Sequence, residues 1–122
     1  MIVDDALFMR QMLAKILIAE GHEICVEATN ALEAVEKYKI HKPDLVTMDI
    51  VMPMMEELDG IGAVNEIIQF DPHAKILIVS AMSQQPIVVE AIRLGARDFL
   101  SKPVNPQRLK EVVKNILTEP LG

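Results

Sequence analysis

Residues 43–53, which read PDLVTMDIVMP, contain the stretch that decides the fold. A proline precedes a short, mainly apolar run at residues 45–48, and Asp49 follows it directly. The run is too short for a helix, and a strand that is apolar on both faces is typical of a parallel sheet covered by helices. The stretch therefore predicts a buried central strand with a carboxylate at its carboxyl end.

Short apolar runs and amphipathic segments alternate on both sides of this stretch. Four more runs, at residues 1–3, 24–26, 76–79 and 99–100, predict four more strands. Between and after them, apolar residues recur at every third or fourth position, which places one apolar stripe on each of five helices. These positions are Met9, Met12, Leu13, Ile16 and Leu17; Ala31, Ala34, Val35 and Tyr38; Ile61, Val64, Ile67 and Ile68; Val88, Ala91 and Ile92; and Leu109, Val112, Val113, Ile116 and Leu117.

Glycines and prolines separate the predicted elements. Gly21 and Gly95 stand where the first and fourth helices end, because glycine readily terminates a helix. Pro43 and Pro72 precede strands, and Pro106 stands where the last helix can begin. Five βα units in series predict an α/β fold, in which a doubly wound parallel five-stranded sheet carries helices on both faces.

The composition narrows the classes of function. The chain has 122 residues and a formal net charge of −6. We expect a single domain over residues 1–122 without an effector domain, and no binding to nucleic acid, which needs clustered Lys and Arg. The apolar runs are too short to span a bilayer, and we expect a monomer in the cytoplasm. The one cysteine, Cys25, lies in an apolar run, where we expect a buried, unreactive thiol.

Polar groups follow four of the predicted strands. Asp4 and Asp5 follow the first strand, and Asp49 follows the third. Ser80 ends the fourth strand, and Lys102 comes just after the fifth. Ligands of open parallel sheets bind beyond the carboxyl ends of the strands, so we expect these side chains to converge there.

Such a cluster suits phosphoryl transfer. Three carboxylates at close range repel one another, and a hard cation such as Mg²⁺ relieves the repulsion. Asp49 is the natural nucleophile, because a carboxylate can form an acyl phosphate. Mg²⁺ and Lys102 would neutralise the phosphoryl charge, and Ser80 would donate a hydrogen bond to the new phosphoryl oxygens.

Each of these residues also has a simpler interpretation. Asp4 or Asp5 could cap the first helix, and Ser80 the fourth. Asp49 could be a polar strand end, and Lys102 a solvated loop cation. The joint arrangement favours function, because four strand ends carry the required groups in the required order.

The residues at these positions resemble the response-regulator receiver family, and within it the stand-alone chemotaxis receivers. The resemblance covers essentially the whole chain and implies the flavodoxin-like strand order 2-1-3-4-5. Its motifs are IVDD at residues 2–5, PDLVTMDIVMP at 43–53, DG at 59–60, SA at 80–81 and KP at 102–103.

The resemblance also implies the roles of the site residues. Asp49 is the phosphoacceptor, which a histidine kinase would phosphorylate. Asp5 and Asp49 would bind Mg²⁺ directly and Asp4 through water, and the backbone carbonyl of Val51 matches the remaining protein ligand. Lys102 matches the lysine of the site and is expected to form a cis peptide bond with Pro103.

The resemblance further implies a conformational switch. Ser80 takes the position of the switch hydroxyl, and Phe99 that of the aromatic ring that turns inward when the hydroxyl moves. The fourth helix, fifth strand and fifth helix would then bind a motor-switch or adaptor protein. Val51 and Met82 match the positions that tune the lifetime of the phosphorylated form. Because both are apolar, we expect slow decay and room for a separate phosphatase.

Two features depart from the family. Only three residues precede Asp4, where the first strand is normally longer, so either the strand is short or the sequence is trimmed at its start. The loop at residues 54–59 is three residues longer than the usual form and carries Glu56, Glu57 and Asp59. The added negative charge predicts an outward displacement of the loop or recruitment of a cation.

Other classes of protein fit less well. A phosphatase of haloacid-dehalogenase type needs a DxD pattern after the first strand, whereas the acids here are adjacent. Neither glycine-rich phosphate motif of nucleotide-binding domains occurs. A purely structural domain would not need the three carboxylates, the hydroxyl and the ammonium group of the predicted site. A receiver of another phosphorelay with a different output remains an alternative.

Overall fold

The structure is a computed structural model, which describes residues 1–52, 58–81 and 85–119. Strands and helices alternate along the chain, as the sequence predicts. The elements are β1 (Ile2–Val3), α1 (Leu7–Ala19), β2 (Glu27–Ala28), α2 (Ala31–His41), β3 (Val46–Met48), α3 (Gly60–Phe70), β4 (Ile76–Ser80), α4 (Gln85–Leu94), β5 (Asp98–Ser101) and α5 (Pro106–Thr118).

The strands form one parallel sheet in the order β2-β1-β3-β4-β5. The predicted fold class and strand order are therefore confirmed. Successive residues of a strand face opposite layers. In β4, Leu77 and Val79 pack with α1 and α5, whereas Ile76 and Ile78 pack with α2, α3 and α4. Each large side chain buried in this way stabilises the fold by roughly 1.5–3 kcal/mol.

The helix ends lie close to the predicted breakers. Gly21 and Gly95 have φ angles of +92° and +127°, which L side chains rarely adopt. Pro106 is the first residue of α5, and the Asn105 side chain accepts hydrogen bonds from the amides that follow. In the parts of the chain that the structure describes, no helix is long and apolar enough to cross a membrane.

The second strand lies later than the sequence predicts. The apolar run at residues 24–26 is not a strand, and β2 is formed by Glu27–Ala28. The reason is register: β1 is only two residues long, and its Ile2 and Val3 pair with Glu27 and Ala28. Because β2 is an edge strand, the run before it is only partly covered, and Cys25 is exposed. The prediction of a buried thiol was wrong.

Gly60 brings α3 against the chain that follows β3. A Cβ atom at Gly60 would lie 2.5 Å from the Cα of Ile50, so a larger residue would force the two backbones apart. Asp59, placed by the sequence among the charges of the lengthened loop, instead caps α3 by accepting a hydrogen bond from the Gly62 amide at 2.8 Å. Residues 53–57 lie outside the described ranges, so the predicted effect of the loop stays a prediction.

Candidate functional site

Three carboxylates meet at the carboxyl ends of β1 and β3. One oxygen each from Asp4, Asp5 and Asp49 lies within 4.8 Å of the other two. Asp4 and Asp49 are buried, whereas Asp5 is exposed. The structure therefore brings the three predicted acids together, with two inside the protein and one at its surface.

Lys102 pairs with both buried acids. Its Nζ donates to Asp4 Oδ2 at 2.7 Å and to Asp49 Oδ2 at 3.1 Å. Its own amide donates to the Ser80 carbonyl at 3.0 Å, which ties it to β4. The peptide bond from Lys102 to Pro103 is cis, as predicted. Burial disfavours the charged ammonium, but the bonds to the two carboxylates outweigh it and raise the pKa of Lys102.

The second oxygen of each buried acid accepts a backbone hydrogen bond. Asp4 Oδ1 accepts from the Ala6 amide and Asp49 Oδ1 from the Val51 amide, both at 2.9 Å. These bonds fix the two side chains and leave little freedom to turn. The N-cap of α1 is Ala6, and the structure shows no side-chain capping bond there. Neither Asp4 nor Asp5 therefore caps this helix.

The predicted switch residues lie on β4 and β5, the two strands beyond β3 in the sheet. Ser80 is fully buried at the end of β4, and Ser101 of β5 lies opposite it. Phe99 is partly buried and packs against the core beneath α2, α3 and α4. The motions predicted for Ser80 and Phe99 stay predictions.

Of the two residues predicted to tune the lifetime of the phosphorylated form, the structure describes Val51. Val51 lies two residues after Asp49 with 49% of its surface exposed, so its side chain borders the site without filling it. The predicted role of its carbonyl as a metal ligand stays a prediction. Met82 lies outside the described residues.

The sequence interpretation missed Arg10, on α1. Its Nη1 donates to the backbone carbonyl of Asp4 at 2.9 Å. Helical side chains lean towards the amino end of their helix. An arginine at the end of the first turn of α1 was therefore a signal that could have identified this contact.

The donor set fits a hard divalent cation. Carboxylate oxygens are the ligands that Mg²⁺ prefers, and Mg²⁺ keeps several waters, which the exposed side of Asp5 would admit. Lys102 partly neutralises the cluster but reaches only Asp4 and Asp49 among the three acids. The site can therefore hold a cation beside Asp5 and Asp49 and bring an anionic phosphoryl group close to a carboxylate.

Comparison with known proteins identifies the class. The model of the response regulator receiver domain family matches residues 1–114, and the chain belongs to that family. This match excludes the haloacid-dehalogenase alternative.

Two relatives narrow the class to one kind of receiver. The chain is 54% identical over 116 residues to the chemotaxis protein CheY of Thermotoga maritima, covering 95% of this chain and 94% of that protein. It is 52% identical over 117 residues to CheY of Bacillus subtilis, covering 96% and 95%. It is thus a receiver domain closely related to CheY, which supports a chemotaxis response regulator in two-component signalling.

Solved structures agree with the fold. CheY in the CheX–CheY–BeF3–Mg²⁺ complex from Borrelia burgdorferi superposes with a TM-score of 0.90 at 36% identity, covering 97% of this chain and 87% of that one. The receiver domain of NtrX from Brucella abortus gives 0.89 at 34% identity and covers 98% of both chains.

Proposed function

We propose that this chain is a chemotaxis signalling switch of the cytoplasm, in which Asp49 accepts a phosphoryl group from a histidine kinase in a Mg²⁺-dependent reaction. The observation that carries the proposal is the arrangement around Asp49. This buried carboxylate shares Lys102 with Asp4, and one of its oxygens lies within 4.8 Å of an oxygen of each of the other two acids.

The chemistry follows from this arrangement. An Asp49 oxygen attacks the phosphorus of a phosphohistidine; a P–O bond forms, the P–N bond breaks and the imidazole takes up a proton. Lys102 stabilises the charge on the transferred phosphoryl oxygens. A Mg²⁺ ion held by Asp5, Asp49 and the Val51 carbonyl, with Asp4 acting through water, would supply the rest of the charge neutralisation.

Phosphorylation would then alter the face made by α4, β5 and α5. Ser80, buried at the end of β4, and Lys102 would follow the new oxygens, and Phe99 of β5 would carry the change to that face. Val89 and Ile92 on α4 are exposed apolar side chains, which suits a protein contact. We propose a motor-switch or adaptor protein as the partner of this face; the Borrelia relative likewise forms a complex with another protein, CheX.

The direct test is to incubate the protein with acetyl phosphate and Mg²⁺. We expect the intact mass to increase by one phosphoryl group, and a chelator to prevent the increase. A mass that stays constant under conditions that phosphorylate a known receiver would contradict the proposal.

Replacing Asp5 with asparagine should stabilise the protein when no divalent cation is present. The substitution removes one of three neighbouring negative charges, and we expect the free energy of unfolding to rise by about 1 kcal/mol. Mg²⁺ should stabilise the variant less than the wild type, because one ligand is lost. Urea denaturation with and without Mg²⁺ measures both effects. Glu66→Gln, an exposed acid in the second half of α3, is the control and should change neither quantity appreciably.

The lifetime of the phosphorylated form should depend on the identity of Val51 and Met82, the two positions that the resemblance to the receiver family assigns to this role. A polar side chain near the acyl phosphate can orient the attacking water, which Val51 and Met82 cannot do. The double variant Val51→Asn, Met82→Glu should therefore lose its label faster than the wild type, by roughly ten-fold or more. Equal or slower loss of radiolabel in the double variant would show that these side chains do not control hydrolysis. The expectation of a separate phosphatase, which rests on slow decay, would then lose its support.

A further inference from the structure

Arg10 connects α1 to β2 and to the backbone between the two acids after β1. Its Nη1 donates to the Asp4 carbonyl and its Nε to Glu27 Oε1, both at 2.9 Å. The side chain is only 13% exposed. One guanidinium group therefore holds the Asp4 backbone, while Lys102 binds the Asp4 carboxylate.

We propose that Arg10 is a positioning residue for the metal site, which holds the peptide unit between Asp4 and Asp5 so that the Asp5 carboxylate points to the cation. This inference rests on the proposed Mg²⁺-dependent function. Its consequence is that Arg10 contributes to Mg²⁺ affinity without touching the ion.

Asp5 needs such support more than the other two acids do. In the residues that the structure describes, the Asp4 and Asp49 side chains are held by backbone amides and Lys102, whereas the Asp5 side chain makes no hydrogen bond. Its direction is therefore set by its backbone. Because the peptide bond is planar, fixing the Asp4 carbonyl also fixes the Asp5 amide in the same plane.

The two hydrogen bonds of this side chain suit an arginine. The guanidinium group carries several N–H donors in a rigid fork, so one side chain can bind Glu27 and the Asp4 carbonyl at the same time. Glu27, on β2, holds the fork in place. A lysine at this position would keep the charge but lose the fixed directions of the two donors.

Charge alone predicts the opposite effect on Mg²⁺ binding. Arg10 is a cation near three carboxylates, so its removal makes the region more negative and would tighten the binding of a cation. Loss of positioning would weaken it. The sign of the change therefore distinguishes the two roles.

The test is the Mg²⁺ dissociation constant of Arg10→Met, measured by calorimetry and by amide shifts of Asp5. The matched control is Arg97→Met, since Arg97 pairs with Glu119 at 2.8 Å and has a similar side-chain exposure of 20%, but lies at the opposite edge of the sheet. We expect Arg10→Met to bind Mg²⁺ roughly ten-fold more weakly, as for other residues that orient metal ligands, and the control to stay close to wild type.

Unchanged or tighter binding by Arg10→Met would overturn the inference. Wild-type affinity in Arg10→Lys would also overturn it, because the fixed directions of the two guanidinium donors would then not matter. Urea denaturation without Mg²⁺ shows whether the variants are folded at the temperature of the titration. Should Arg10→Met prove unfolded, Arg10→Gln replaces it with the same expected weakening. A wild type that binds no Mg²⁺ would instead contradict the proposed function itself, so the two failures are distinguishable.

Discussion

Replacing Asp49 with asparagine is expected to abolish phosphorylation by acetyl phosphate. The amide has nearly the same shape and can still accept a hydrogen bond from Lys102, but it lacks the anionic oxygen that attacks phosphorus. Loss of a nucleophile lowers the rate by many orders of magnitude, so we expect a reduction of at least about a thousand-fold. The intact mass of the variant, followed over hours with Mg²⁺ present, measures the effect.

The control is Asp59→Asn, which removes the carboxylate that caps α3 and keeps a residue that caps helices well. It should be phosphorylated like the wild type. The Asp49→Asn variant should remain folded, because the substitution removes a buried charge from a cluster of like charges. Labelling of folded Asp49→Asn at a comparable rate would refute Asp49 as the acceptor.

Replacing Lys102 with methionine is expected to destabilise the protein strongly when no Mg²⁺ is present. The ammonium group is the cation that bonds the buried Asp4 and Asp49 carboxylates, and its loss leaves both without a positive partner in the described part of the site. Removal of one partner of a buried ion pair costs roughly 3–5 kcal/mol. Urea denaturation gives the free energy of unfolding, and Mg²⁺ should restore part of the loss by supplying positive charge.

The exposed pair between Lys110 and Glu20 provides the control. These side chains lie 3.1 Å apart at the surface, so Lys110→Met should cost less than about 1 kcal/mol. A similar, small loss in both variants would mean that Lys102 is not the counter-charge of the cluster.

The stabilisation from Lys102 should also depend on pH in a defined direction. Bonds to the two carboxylates raise the pKa of Lys102 despite its burial, so the folded protein holds this proton more tightly than the unfolded chain does. The contribution is therefore complete below the ordinary lysine pKa of about 10.4 and is lost as pH rises through the higher pKa of the folded state. The difference in stability between wild type and Lys102→Met should stay constant from neutral pH to about pH 9 and shrink at higher pH.

The sequence alone determined the fold and the members of the proposed site. Alternation of short apolar runs with segments of helical period is a local property, and it fixed the order of strands and helices. A residue that directly follows a buried parallel strand must lie at the carboxyl edge of the sheet. This rule placed Asp4, Asp5, Asp49, Ser80 and Lys102 together before any distance was known.

Local patterns failed where pairing with a distant segment decides the structure. The apolar run at residues 24–26 has strand character, but the position of β2 depends on which of its residues face the two residues of β1. Exposure of Cys25 follows from the place of β2 at the edge of the sheet, which the apolar run does not reveal.

Only the tertiary structure decided which atoms of the site bond to one another. Lys102 and Asp4 are 98 positions apart in the chain, and Arg10 reaches Glu27 on another element, so no local pattern carries these contacts. Side-chain reach, burial and competition among nearby acceptors select them after the sheet has formed. For the same reason, the structure was needed to show that Asp4 and Asp49 are buried and bonded to Lys102, whereas Asp5 is exposed. It was also needed to show that Arg10 binds the backbone carbonyl of Asp4.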